Sequence, residues 1–207
     1  MPPRPKTRKD VVALFKKGKK ENDEYSNYAL FSLFSIGCFE LGKLYQEARA
    51  EEECHIANHF LNKTLEINPN NVVALYYSAT NYKKGYGVKK DILKAIDYYD
   101  KAYRIGGNKI FTAIDSLFVI FFYGKRGVQQ DLNKAKHYIE IAAKNGSQKH
   151  QHFLNNWDTH VFLLKTQQGS DKCLEKNRDE PKWVNKCIQR SEKELAEYIE
   201  KKQSNSN

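Results

Sequence analysis

Apolar side chains recur along the chain at the three- and four-residue spacing of helices packed on one face. Residues 24–37 carry Tyr28, Leu30, Phe31, Leu33, Phe34 and Ile36, apolar nearly all round, and predict a helix that needs cover on several sides. Ala57, Phe60 and Leu65 mark a second helix, which Pro69 stops because proline lacks the N–H that continuation requires. Residues 113–123 form the longest apolar run, interrupted by Asp115. It falls short of the roughly 18–20 residues of a membrane span and reads as a buried helix, so no membrane insertion is expected. Phe153, Leu154, Trp157, Val161, Phe162 and Leu164 predict a helix over 152–165, followed by a polar loop over 167–171. Pro181 suits the first turn of a last long helix over 182–202, with 203–207 as a disordered tail. At the other end, Val11, Val12, Leu14 and Phe15 suggest a short helix over 10–20.

Superposed on this helical rhythm is a repeat of about 40 residues. Gly87, Val88, Asp91, Lys94, Ala95, Tyr98 and Ala102 recur in order as Gly127, Val128, Asp131, Lys134, Ala135, Tyr138 and Ala142, and Gly106 and Gly146 close the two units. Each position has a physical task. Gly87 and Gly127 accept positive φ where the chain turns between helices. Val88 and Val128 plug the turn. Asp91 and Asp131 suit the N-cap of the second helix, where a carboxylate accepts orphan N–H groups. Ala95 and Ala102, like Ala135 and Ala142, are seven residues apart, so two turns place both on one face and allow close helix approach. Tyr98 and Tyr138 fill the space beside them, and Gly106 and Gly146 suit C-caps.

The sequence Gly85-x-Gly87-Val88-x-x-Asp91-x-x-Lys94-Ala95, followed by Tyr98 and Ala102, resembles the Sel-one-like repeat, a relative of the tetratricopeptide repeat. The second unit departs at its first glycine, with Lys125 there and Gly124 one step earlier. A weaker unit precedes them: Leu41-Gly42-Lys43-Leu44-Tyr45 is similar to the family's first-helix signature, and Leu65 to Asn71 to the end of a tetratricopeptide unit. The resemblance covers residues 38–146. It implies an all-α fold, a right-handed α-solenoid of helix-turn-helix repeats with helical caps. The chain then divides into a basic tail or short helix (1–20), N-terminal helices with a degenerate unit (21–71), two repeats (72–108 and 109–146), and a helical cap with a polar tail (147–207).

Charge adds a possible second surface. The net charge is +10, with the excess in 1–20 (Arg4, Lys6, Arg8, Lys9, Lys16, Lys17, Lys19, Lys20 against Asp10) and in 72–146. Such a split is ordinarily a solvated surface plus a tail, and it also steers anionic partners, so nucleic acid stands as a less favoured partner. Residues 1–20 lack the apolar stretch of a secretory signal, and the cytoplasm is the expected location.

Chemistry-bearing residues are scattered. Cys38, Cys54, Cys173 and Cys187 form no CxxC pair and read as free thiols in a reducing setting. A Cys173–Cys187 bridge is the alternative in an oxidising one. Cys54, His55 and His59 lack the further ligands that zinc requires, so no metal is assigned. Neither His150, His152 and His160 nor the carboxylates Asp97, Asp100, Asp115 and Glu140 form a catalytic constellation, and no Walker or Rossmann fingerprint occurs. The expectation is a non-enzymatic adaptor without cofactor.

The family resemblance implies partner binding along the first helices of successive units, in the hollow of the solenoid. The side chains placed there are Tyr76, Tyr77, Asn81 and Lys84 from one unit and Ser116 and Phe118 from the next. A further alternative is a bacterial effector delivered to a host cell. Lys, Asn, Ile and Tyr are frequent, and Glu192, Glu194, Glu197 and Glu200 before a polar tail resemble type IV secretion signals. An exposed helix end is the plainer reading of the same residues.

Overall fold

Three side-chain caps set the helical frame. Asn71, Asp91 and Asp131 are extended in backbone conformation, and each accepts a hydrogen bond from the N–H three residues on: Ala74 at 2.8 Å, Lys94 at 3.0 Å and Lys134 at 2.9 Å. These bonds satisfy orphan donors of the first turn, each contributing about 1 kcal/mol. In this computed structural model, residues 9, 10, 13, 16, 17, 20, 23–43, 47–124, 127–177 and 181–204 are described. The chain runs through α1 (Glu24–Lys43), α2 (Glu47–Ile67), α3 (Val72–Lys84), α4 (Ile92–Gly106), a 3-10 turn (Gly107–Ile110), α5 (Phe111–Tyr123), α6 (Leu132–Lys144), α7 (Gln148–Asn155), α8 (Trp157–Lys176) and α9 (Pro181–Ser204). No strand occurs among the described residues, so the fold is the all-α helical repeat array that the sequence implies. None of these helices is long and apolar enough to cross a membrane.

The chain forms two compact units, 1–145 and 146–207. In the first, helices pair as antiparallel hairpins α1–α2, α3–α4 and α5–α6. The opening hairpin buries Leu30 and Phe31 against Ala57, Phe60 and Leu61, and α3 adds Ala74 to this cluster. The two following hairpins use the small residues of the repeat. Ala95 and Ala102 of α4, and Ala135 and Ala142 of α6, have no accessible surface. A larger side chain there would push the helices apart, at a typical cost of about 1–3 kcal/mol. The fully buried fillers are Tyr99 and Ile139, one residue beyond the tyrosines assigned from the sequence. Tyr98 and Tyr138 are half-buried and stack on their own first helix, Tyr98 on Tyr82 at 5.7 Å and Tyr138 on Phe121 at 5.9 Å. Burial of Tyr99 is tolerated because its hydroxyl shares a 3.0 Å hydrogen bond with Thr80 Oγ1.

Several expectations are corrected. The cysteines among the described residues are not free thiols: Cys38 is bonded to Cys54 (Cα–Cα 4.8 Å) and Cys173 to Cys187 (5.7 Å). The first bridge joins α1 to α2 and the second joins α8 to α9. The cap of α4 is Gly107, with φ +57°, and Gly106 is the last helical residue. A Cβ on Gly106 would lie 2.6 Å from Val72 Cγ1, so that glycine serves packing between α4 and α3. Residues 167–171 are helical, inside α8; a Gln167–Asp171 side-chain bond of 2.7 Å spans this turn. The helix expected over 152–165 is two, α7 and α8, separated at Asn156. The last helix extends to Ser204, so Gln203 and Ser204 are not tail. Leu41, Gly42 and Lys43 are the last residues of α1, the first helix of its hairpin. Of the segment 10–20, Asp10, Ala13, Lys16, Lys17 and Lys20 are helical. The basic residues Arg4, Lys6, Arg8 and Lys19, and the apolar Val11, Val12, Leu14 and Phe15, lie outside the described residues, as do Leu44, Tyr45, Lys125, Asp179, Glu180 and the tail 205–207.

Candidate protein-binding face

The turns of the two repeats place everything that follows. Gly85 and Gly124 both cap their first helices in left-handed conformation, at φ +84° and +59°. Gly124 therefore does the work that the sequence pattern seeks at 125, and the second turn carries one extra residue. Gly87 (φ +60°) and Gly127 (φ +84°) both take positive φ, and Val88 and Val128 are half-buried under the turns. The two turns differ in surroundings. Gly87 presses on α2, where the Asn58 amide donates to the carbonyls of Cys54 and Tyr86, and Asn81 Nδ2 donates to Asn58 Oδ1 at 2.9 Å. This buried network ties the opening hairpin to the first repeat. Gly127 has nothing within 4 Å of its would-be Cβ. In the second turn it is Gln130 that reaches back, donating to the Phe122 carbonyl at 2.8 Å.

The first helices of the three hairpins lie in sequence. Phe31 of α1 meets Tyr77 of α3 at 5.0 Å, and Lys83 of α3 donates to Ser116 of α5 at 3.3 Å. Glu24 Oε1 accepts from the side-chain amides of Asn68 and Asn71 at 2.9 and 2.6 Å, which holds the start of α1 to that of α3. Since α3 buries Ala74, Leu75, Ser78, Ala79 and Asn81, helical phase turns Val73 and Lys84 outward, while Thr80 is engaged by the buried Tyr99 hydroxyl. The same phase turns Thr112, Val119 and Tyr123 of α5 outward, and Val119 and Tyr123 are 45% and 42% exposed. On α1 the corresponding residues are Tyr25 and Ser32, both half-buried, whereas Tyr28 packs against the core cluster. At the N-terminal end of this face Asp23, Glu24, Tyr25, Tyr28, Asn71 and Val73 surround an open cavity of about 490 Å³.

The six side chains assigned from the sequence differ in burial. Tyr76 and Tyr77 are half-buried, Lys84 is exposed, and Phe118 is half-buried against Phe122 at 5.0 Å. Asn81 is only 4% exposed and Ser116 9%, and both are hydrogen-bonded, Asn81 to Asn58 and Ser116 to Lys83. Sequence reasoning did not point to Tyr25, Val119 or Tyr123; a phase taken from the buried alanines would have indicated the last two.

Electrostatics is quiet here. Tyr138, on the second helix of its repeat, is pushed up to about 12 by burial, then by the charge of Asp100, to which its hydroxyl donates at 3.4 Å. Burial, then Tyr82, also raises Tyr98. Burial tends to raise Asp23, but hydrogen bonds from Ser26 and the charge of Lys17 bring it below the usual value. No group of three or more His, Cys, Asp or Glu side chains converges as a metal site among the described residues. Cys54 is committed to its disulfide, and His55 lies beside Glu51 at 3.8 Å on the surface.

A model of the Sel1 repeat family matches residues 72–107 and 113–147. These two segments carry the Sel1 repeat pattern. They coincide with the hairpins α3–α4 and α5–α6. Among solved structures, the chain is similar to a Sel1 repeat protein from Oxalobacter formigenes, at 18% identity and a TM-score of 0.44, over 79% of this chain and 71% of that one. No curated protein sequence matches the chain.

Proposed function

We propose that this chain is a non-enzymatic adaptor that holds a partner protein on the shared face of α1, α3 and α5. Sel1 repeats in general mediate protein–protein interaction. The observation that carries the reading is the outward row of aromatic and aliphatic side chains on consecutive first helices, above all the exposed Val119 and Tyr123. Apolar and aromatic groups that serve no core are the usual anchors of an interface. The two disulfides favour an oxidising compartment over the cytoplasm expected from the sequence.

The test is affinity capture at low and high salt with the full chain and with a Val119→Glu, Tyr123→Ala variant, whose substitutions lie on the surface. A partner held at high salt and lost in the variant, at unchanged unfolding midpoint, supports the reading. Equal retention by the variant overturns it. The basic segment 1–20 motivates the second reading, an anionic partner such as nucleic acid. Its signature is binding that falls steeply with salt and vanishes when 1–20 is deleted. The effector reading rests on the glutamates of α9; delivery that survives removal of the last 20 or so residues would exclude that signal.

A further inference from the structure

The disulfides are not distributed at random over the hairpins. α3–α4 and α5–α6 close through a glycine turn and an aspartate cap, and hold no bridge. α1–α2 and α8–α9 lack the Gly-Val turn, and each is bridged near its connection. The two bridged hairpins differ in what else holds them. α1–α2 has its own core around Leu30, Phe31, Phe60 and Leu61, and both of its cysteines are 5% exposed. Between α8 and α9 there is far less. Among the described residues of 146–207, the buried side chains are His150, Leu164 and Cys187. Among the described residues, the two helices are joined, besides the bridge, by contacts that include the stack of Phe162 on Tyr198 at 3.9 Å and a 3.1 Å bond from Tyr198 to Thr159. Leu163, Ile188, Leu195 and Ile199 stay exposed.

We propose that Cys173–Cys187 is a redox latch that holds α9 on α8, and that a dithiol reductant releases α9 while the repeat unit stays folded. Cys173 is half-buried and Cys187 is 1% exposed, so Cys173 is the more accessible residue of the pair and the one a reductant meets first. A thiolate of the reductant attacks Cys173 Sγ, the Sγ–Sγ bond breaks, and Cys187 leaves as a thiolate that takes a proton. The reductant's second thiol then attacks the mixed disulfide and frees Cys173 as a thiolate, which also takes a proton. The reductant is oxidised to a cyclic disulfide, and two electrons and two protons pass to the cysteine pair. Removing a cross-link of this loop length favours the open hairpin by on the order of a hundredfold.

The test is hydrogen exchange of the full-length chain, oxidised and in dithiothreitol, read peptide by peptide, with thiol mass analysis of both states. The proposal expects amides of α9 to exchange at least about tenfold faster after reduction, and those of α3–α6 to change less than about twofold. A Cys173→Ser variant should reproduce the α9 effect without reductant, and a Cys38→Ser, Cys54→Ser variant should not. Unchanged α9 protection after verified reduction overturns the proposal. So does free thiol at Cys173 in protein purified under oxidising conditions, or loss of protection throughout the chain in one step.

Discussion

Gly87 and Gly127 occupy the same place in the repeat pattern, yet their replacement by alanine should differ in cost. Both sit at positive φ, +60° and +84°, where a Cβ costs about 1 kcal/mol. For Gly127 that is the whole effect, since nothing lies within 4 Å of the added methyl. At Gly87 the methyl would overlap the backbone carbonyl of Cys54 and approach Asn58 Nδ2 to 2.7 Å. The neighbour is helix backbone fixed by a disulfide at Cys54, so the turn has to retreat instead. Retreat stretches the bond from Asn58 to the Tyr86 carbonyl and threatens the Asn58–Asn81 pair. Each buried polar group left without its partner costs about 1–3 kcal/mol. Gly87→Ala should therefore cost about 3–5 kcal/mol, against about 1 kcal/mol for Gly127→Ala. Urea unfolding followed by far-ultraviolet circular dichroism, on oxidised protein and with matched slopes, measures the difference. Asn58→Ala, which removes the same network without a clash, should fall between the two. Equal midpoints for the two glycine variants would refute the account of the inter-repeat contact.

Asp91→Ala removes the cap of α4 and should lower stability by about 1 kcal/mol in the same assay, whereas Asp91→Asn should cost a few tenths. The raised Tyr138 predicts an alkaline weakness. A proton held more tightly in the folded state, at about 12 against 10.0, gives stability that is full below pH 10 and is lost as pH rises through 12. Unfolding midpoints recorded from pH 8 to 12 should decline above about 10, less steeply in Tyr138→Phe; an identical decline would assign the effect to other groups. Ala95→Leu, which overfills a position with no accessible surface, should cost about 1–3 kcal/mol, and a neutral outcome would mean that α3 and α4 are not held at close approach.

The two repeats were legible because their signal lies in residue types that backbone geometry demands. A left-handed turn selects glycine, an N-cap selects aspartate and a tight helix crossing selects alanine, so Gly87, Asp91 and Ala95 announce their jobs without knowledge of their neighbours. Where the deciding contact is long-range, the same reasoning fails. Gly169 and its polar neighbours favour a loop locally, but they lie within α8, between its contacts with α9 at Phe162 and Cys173. The pairing of Cys38 with Cys54 depends on α1 and α2 lying side by side, which spacing alone does not reveal. The proposed face fell between these cases. Its helices were identified, but each residue turns the helix by 100°, so an error of one position exchanges the exposed Val119 for the buried Ile120. The second turn exposes the limit of aligning by motif alone. The first-helix caps Gly85 and Gly124 are 39 residues apart, whereas the second-helix caps Asp91 and Asp131 are 40 apart. One residue is thus inserted within the second turn, between two conserved geometric tasks, and both are still performed. That residue goes with the loss of the close approach to the preceding hairpin: Gly87 touches α2, and Gly127 faces open space. A family pattern records which residues a repeat needs for its own folding, whereas contact with the preceding unit depends on loop length and is particular to each junction.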